Sequence, residues 1–216
     1  AELARPFVVI LGGAKISGKI DVLTNLLGKV DRILVGGGMT YTFYRAQGME
    51  IGNSLVEPDR IDMARQVLAA AQKAGVEIVL PVDSMVSTAA DGSAPVRATE
   101  SAAIPSGFLG GDIGPRTIHL FREKLADART VVWNGPLGIF EVPFYAAGTV
   151  EIAQAVAEVA ARGGVSVVGG GDSVAAIAQS GIPDSAYSHV STGGGAFLEF
   201  LEGKILPGVA ALTERS

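Results

Sequence analysis

Short unbroken apolar runs alternate along the chain with longer stretches in which apolar residues recur every three or four positions. The first run, Phe7-Val8-Val9-Ile10-Leu11, is rich in β-branched residues and stops at Gly12-Gly13, which predicts a strand buried on both faces. Ile16, Ile20, Leu23, Leu26 and Leu27 then fall on one face of a predicted helix. Ile33-Leu34-Val35, closed by Gly36-Gly37-Gly38, predicts a second strand, followed by a helix to about Gln47. A third helix is predicted from about Pro58 to Ala74, with Pro58 in its first turn and Gly75 as its C-terminal cap. Residues 76–82 read as a third strand.

The pattern weakens between residues 83 and 114. Asp91-Gly92 lies between short extended pieces, a hairpin signal, and Gly107, Gly110, Gly111 and Gly114 follow. Regularity returns with a helix over 115–127 and a strand over 130–133 that ends at Asn134-Gly135-Pro136. An Ala-rich helix over about 144–162 precedes a strand over 165–168, which ends at Gly169-Gly170-Gly171 with a helix from near Asp172. Residues 187–190 lead into Gly193-Gly194-Gly195 and a further helix. Strands separated by helices predict βαβ units and a mainly parallel sheet with helices on both faces. The expected fold class is therefore α/β, a Rossmann-like three-layer αβα sandwich. No linker divides the chain, so residues 1–216 are expected to form one domain.

Composition narrows the function classes. With 48% hydrophobic and 18% charged residues, the chain can bury a sizeable core and is not expected to be disordered. A net charge of −5 with no basic run argues against a nucleic-acid partner. The absence of cysteine removes disulfides and thiolate chemistry and suits a cytoplasmic location. Two histidines without H-E-x-x-H spacing argue against a zinc hydrolase. No apolar run approaches the ~20 residues of a membrane span, and the start lacks the build of a signal peptide.

Glycine is the anomaly, 29 of 216 residues, about 13% against roughly 7% on average. The runs beginning at Gly12, Gly36, Gly169 and Gly193 each follow a predicted strand and precede a predicted helix. In open α/β sheets that end of the strand is the ligand side. One such run can simply make a tight turn. Four at equivalent positions favour a shared phosphate site, because the helix N-termini behind them present backbone N–H groups to an anion.

Lys15 and Lys19 are four residues apart, and if helical they would share a face near a helix N-terminus, where the dipole disfavours cations. A polyphosphate would account for them; ordinary surface lysines are the plainer alternative. Gly13 to Lys19 fits G-x-x-x-x-G-K, but Ile20 stands where a P-loop needs a hydroxyl for magnesium, so the match is read as accidental. Asp172 suits either a helix N-cap or a magnesium ligand beside phosphates. Ser173 could cap the helix or touch a phosphate, and Glu141 could accept from a ribose diol. No G-x-S-x-G elbow and no G-x-G-x-x-G occurs, which disfavours a hydrolase of that kind and a dinucleotide dehydrogenase.

Six motifs together resemble one family. They are Gly12-Gly13-Ala14-Lys15 with Lys19, Gly36-Gly37-Gly38-Met39, Gly111-Asp112-Ile113-Gly114-Pro115, Trp133-Asn134-Gly135-Pro136 through Glu141, Gly169-Gly170-Gly171-Asp172-Ser173, and Ser191-Thr192-Gly193-Gly194-Gly195-Ala196. In this order, over essentially the whole chain, they resemble the C-terminal half of phosphoglycerate kinase. The resemblance implies a domain that binds Mg-ADP or Mg-ATP, with the 3-phosphoglycerate-binding N-terminal domain as its missing partner. It implies that Lys15 contacts the phosphoryl group in transfer, Lys19 the nucleotide phosphates, Asp172 the Mg²⁺ ion, and Ser173 a phosphate. By the same resemblance Gly13, Ala14, Gly36, Gly37, Leu55, Gly110 and Ile139 line the adenine and ribose pocket. Asn134 and Pro136 belong to that wall and Glu141 takes the ribose hydroxyls. Gly170, Gly171, Gly193, Gly194 and Gly195 offer N–H groups to the transferring phosphoryl. Gly111 stands where many relatives carry a larger apolar residue, which implies a looser pocket there. The competing expectation is a non-catalytic fragment that self-associates through the apolar stretch 206–212.

Overall fold

The computed structural model describes residues 4–193. Gly194, Gly195, the predicted last helix and the stretch 206–212 lie outside the described residues. Six strands form a parallel sheet: β1 (Phe7–Leu11), β2 (Arg32–Val35), β3 (Glu77–Val79), β7 (Thr130–Asn134), β8 (Val165–Gly169) and β9 (His189–Ser191). Their spatial order is β3-β2-β1-β7-β8-β9. The chain thus builds outward from β1 on one side, then returns to pair β7 with the other side of β1. The register places Leu11 beside both Val35 and Asn134, so the ends of β1, β2 and β7 share one rim. The point where the strand order reverses, between β1 and β7, is where open α/β sheets leave a crevice.

Alternation along the strands explains the layers. Phe7, Val9, Leu11, Ile33 and Val35 face one core, with α1 (Ile20–Leu26), α2 (Met39–Ala46) and α3 (Ile61–Ala74). Val8, Ile10, Leu34, Val131 and Trp133 face the other, with α4 (Pro115–Leu125), α5 (Ala147–Ala161) and α6 (Gly171–Gln179). The expected three-layer α/β sandwich is therefore observed, and the unbroken apolar runs are those buried on both faces.

The weakly patterned segment forms a second, antiparallel sheet with order β5-β4-β6, from β4 (Ser84–Ser87), β5 (Arg97–Ala98) and β6 (Leu109–Ile113). Tyr41, Tyr44, Ile51, Val86 and Ile104 make its separate core. This sheet lays Gly110 and Gly111 beside the rim.

Several element boundaries depart from expectation. Residues 15–19 are not helical: Lys19 N donates to the Ile16 carbonyl in a turn, and α1 starts at Ile20. Ser17-Gly18 favours a turn over a helix. Lys15 and Lys19 consequently share no helical face; Lys15 is exposed and Lys19 buried. The third strand ends at Val79, ahead of Pro81, which has no N–H to give a ladder. The helices expected from 58 and 144 each open with a 3₁₀ turn, at Pro58–Arg60 and Pro143–Tyr145. Gly75 caps α3 in the left-handed conformation, φ 70°, as the sequence pattern predicts.

Candidate functional site

The glycine turns after β1, β2 and β7 interlock. Gly12 N donates to the Asn134 carbonyl at 2.9 Å and Gly13 N to that of Pro136 at 2.8 Å. Gly37 N donates to the Leu137 carbonyl at 2.9 Å, and Met39 N to that of Gly13 at 3.1 Å. Two adjoining depressions open beside this knot.

The first is an apolar pocket of about 260 Å³. Gly13, Ala14, Gly37, Leu55, Gly110, Pro136, Ile139 and Glu141, all singled out in the sequence, line it. Gly38, Tyr41, Gly111, Leu137 and Phe140 line it as well. Tyr41 sits in the first turn of the helix that follows Gly37-Gly38, a position that could have marked it. Gly36 does not line the pocket: a Cβ there would meet Leu137 Cδ2 at 2.5 Å, so it packs behind the wall. The space beside Gly111 is filled rather than loose, because the ring of fully buried Tyr145 would lie 2.4 Å from a Cβ at 111.

The second is a polar cleft of about 310 Å³, lined by Gly12, Lys15, Lys19, Asn134, Gly170, Gly171, Asp172 and Ser173 among others. Gly13, Ala14, Pro136 and Asp172 border both spaces. Asn134 thus belongs to the cleft rather than the apolar wall; its Nδ2 donates to the Gly169 carbonyl at 2.7 Å. Ser173 Oγ donates to that carbonyl at 2.9 Å and accepts from Gly135 N at 2.6 Å. This hydroxyl stitches β8 to the β7 turn, and the N–H of Ser173 is the group left for an anion. Gly170, at φ 104°, is the residue before α6; glycine permits that bend. Gly171, Asp172 and Ser173 form the first turn of α6, whose N–H groups have no intrahelical acceptor. Gly170 N donates to the Ser191 carbonyl at 3.0 Å, which brings the end of β9, two residues before exposed Gly193, against this turn.

Lys19 carries the sharpest electrostatic signature. Its residue is 9% exposed, and among the described residues its ammonium donates to the Asn134 carbonyl alone, at a long 3.4 Å. Burial lowers its pKa to about 8 against an upward pull from Asp172. An ammonium has three donors, so among the described residues this one lacks acceptors. Lys15 extends from the exposed turn on the same cleft. Asp172 is its carboxylate, and no group of three or more His, Cys, Asp or Glu gathers among the described residues. That donor set suits Mg²⁺ only as an ion shared with phosphate oxygens.

An α/β protein of Rossmann order, with an apolar pocket and a cationic cleft meeting at its switch point, is the class this geometry defines. The sequence profile described as Phosphoglycerate kinase matches residues 1–204. Phosphoglycerate kinase of Chloroherpeton thalassium is 54% identical over 213 residues, covering 99% of this chain and 53% of the relative. The chloroplastic phosphoglycerate kinase of Volvox carteri is 51% identical over 211 residues, covering 98% and 46%. The solved structure of phosphoglycerate kinase from Coxiella burnetii superposes with a TM-score of 0.89 at 43% identity, over 94% of this chain and 52% of that one. The chain belongs to the phosphoglycerate kinase family, and it spans about half the length of the relatives it matches.

Proposed function

We propose that this chain is the nucleotide-binding half of a phosphoglycerate kinase, a single domain for Mg-ADP and Mg-ATP whose partner is the 3-phosphoglycerate-binding half, working in the cytoplasm. The observation that carries the reading is the adjacency of the two spaces: an apolar slot of nucleoside dimensions opens directly onto a cleft holding Lys15, Lys19, Asp172 and the start of α6. Adenine fits between Leu55, Gly110-Gly111 and Ile139, with Glu141 at the ribose. The phosphates lie along the α6 turn against Lys19. Magnesium, held by Asp172 and phosphate oxygens, would neutralise charge in this cleft.

In the proposed reaction a β-phosphate oxygen of ADP attacks the acyl phosphate of 1,3-bisphosphoglycerate. The phosphorus–oxygen bond to the carboxyl group breaks, and 3-phosphoglycerate leaves. Such transfer needs alignment and charge neutralisation rather than a protein nucleophile. Lys15 would hold the moving phosphoryl, and the N–H groups of Gly171, Gly194 and Gly195 would fix its oxygens, those of Gly170 and Gly193 being taken up by the Ser191 carbonyl and hydroxyl. The acyl-phosphate substrate would be held by the other half, so this chain alone is expected to bind nucleotide without turnover.

Calorimetry with ADP should give saturable heat with magnesium. No heat at millimolar ADP, together with concentration-dependent sedimentation, would favour the self-associating fragment instead. Asp172→Asn should abolish the magnesium dependence of ADP affinity; an unchanged dependence removes Asp172 as the ligand. Lys15→Ala should weaken ADP binding no more than about threefold, because ADP lacks the transferred group. The same variant, combined with the N-terminal half, should lose transfer by about 10³-fold or more. Equal losses in binding and transfer would contradict the role assigned to Lys15.

A further inference from the structure

We propose that Asp112 is a positioning residue whose carboxylate, hydrogen-bonded to Gly148 N and packed against Gly138, joins the two ends of the pocket-wall segment 138–148 and thereby sets the nucleoside pocket. The proposal rests on the nucleotide-binding reading above. Asp112 follows the Gly110-Gly111 floor on β6 and is 2% exposed. Its Oδ2 accepts from Gly148 N at 2.7 Å and its Oδ1 from Ile113 N at 2.8 Å. A Cβ on Gly138 and one on Gly148 would each lie 2.4 Å from the same Oδ1. Both ends of the segment therefore close on one carboxylate. Between them lie Ile139, Phe140 and Glu141, all pocket-lining. Ile139 N donates to the Gly111 carbonyl at 2.8 Å, so the clasp and the wall bracket the floor strand together.

Among the described residues the carboxylate has no cationic partner. From α2 it faces the phenol of Tyr41, and beside it the Tyr145 ring packs on Gly111 while its hydroxyl donates to the Ala89 carbonyl. The neighbouring β4 contributes Ser84 and Met85, and α5 begins Ala147-Gly148-Thr149, none of them charged. Burial raises the Asp112 pKa to about 7, outweighing the two N–H bonds that pull it down. Protonation removes a lone pair from one oxygen and weakens one of the two bonds. Above pH 7 the Gly148 end of the wall is held by a full charge-assisted bond to a carboxylate that Ile113 N fixes on β6; below it one of these two bonds is weakened.

Adenosine is the suitable probe, because it fills the apolar pocket and carries no phosphate to titrate or to engage Lys19. Its affinity for the full chain should fall about tenfold between pH 8 and pH 6, the worth of one hydrogen bond to a charged acceptor. Asp112→Asn offers one acceptor where two are needed. It should bind adenosine about tenfold more weakly at pH 8 and show no pH dependence. A flat wild-type profile, or a variant that keeps the wild-type slope, overturns the proposal while leaving nucleotide binding intact. Only the variant's lost slope assigns the effect to Asp112. Amide NMR of the wild type supplies a readout free of ligand and variant. The Gly148, Ile113 and 139–141 amides should shift together with a midpoint near 7. If Gly148 titrates and the wall amides do not, Asp112 does not set the wall. Absence of any adenosine or ADP binding at pH 8 would instead defeat the nucleotide reading, and the amide titration would still decide the clasp.

Discussion

Lys19→Met is expected to weaken ADP binding by about a hundredfold while leaving adenosine affinity within about twofold of wild type, since a charge-assisted contact contributes roughly 1.5–3 kcal/mol. Among the described residues the ammonium is buried against a single carbonyl at 3.4 Å, and burial has drawn its pKa down to about 8. A polyphosphate supplies the missing acceptors and favours the charged form. Two signs follow. Because the ligand prefers protonated Lys19, ADP affinity is full below pH 8 and declines above it, and binding at pH 8–9 takes up a proton. Because the folded pKa lies below the unfolded 10.5, the unfolded chain binds more protons between about 8 and 10.5, so stability of the free domain rises across that window. The variant removes a buried, poorly satisfied charge, so its melting temperature at pH 7 should equal or exceed that of the wild type. Titration calorimetry in buffers of different ionisation enthalpy, with thermal melts alongside, measures all of this. A variant that binds ADP as tightly as the wild type would remove Lys19 from the phosphate cleft.

What the residues disclosed and what they concealed have one physical origin. The runs 7–11, 33–35 and 131–133 could be placed because parallel strands covered on both faces are apolar throughout, and 165–168, which carries Ser166 and exposed Val165, because its valines stop at a glycine run. The second sheet could not. β5 is two exposed residues, Arg97–Ala98, and β6 contains Gly110-Gly111, whose intrinsic preference opposes a strand. Their pairing is imposed by tertiary contact with β4. The lysine pair was visible as chemistry but not as geometry: spacing of four suggested a common helical face, whereas the Ser17-Gly18 turn sends Lys15 outward and Lys19 inward. The glycine runs marked the rim correctly, yet spacing alone could not separate Gly37, which lines the pocket, from Gly36, which packs behind it. Nor could it disclose that Tyr145 occupies the room left by Gly111. Asp112 stood inside a motif without a role, because a carboxylate's burial and its two N–H donors are properties of the folded wall.

Gly12→Ala should be the most destabilising of the small substitutions at the rim. A Cβ at residue 12 would lie 2.1 Å from the Pro136 carbonyl oxygen and 2.4 Å from that of Gly135. Both obstacles are main chain, so no rotamer change relieves the clash. The β1 and β7 turns must separate, against the hydrogen bonds from Gly12 to Asn134 and from Gly13 to Pro136. Overpacking of this kind costs about 3 kcal/mol or more when backbone has to move, which corresponds to a fall in melting temperature on the order of 10 °C for a chain of this size. Pocket and cleft share Gly13 and Pro136, so the displacement should weaken adenosine and ADP binding together, unlike Lys19→Met, which separates them. Gly18→Ala is the control. A Cβ there meets nothing within 4 Å and its φ is not left-handed, so stability should stay within about 0.5 kcal/mol of wild type. Denaturant unfolding of the two variants tests the assignment directly. A Gly12→Ala protein as stable as Gly18→Ala would mean that the two turns do not bear on each other, and the crevice at the switch point would lose its structural basis.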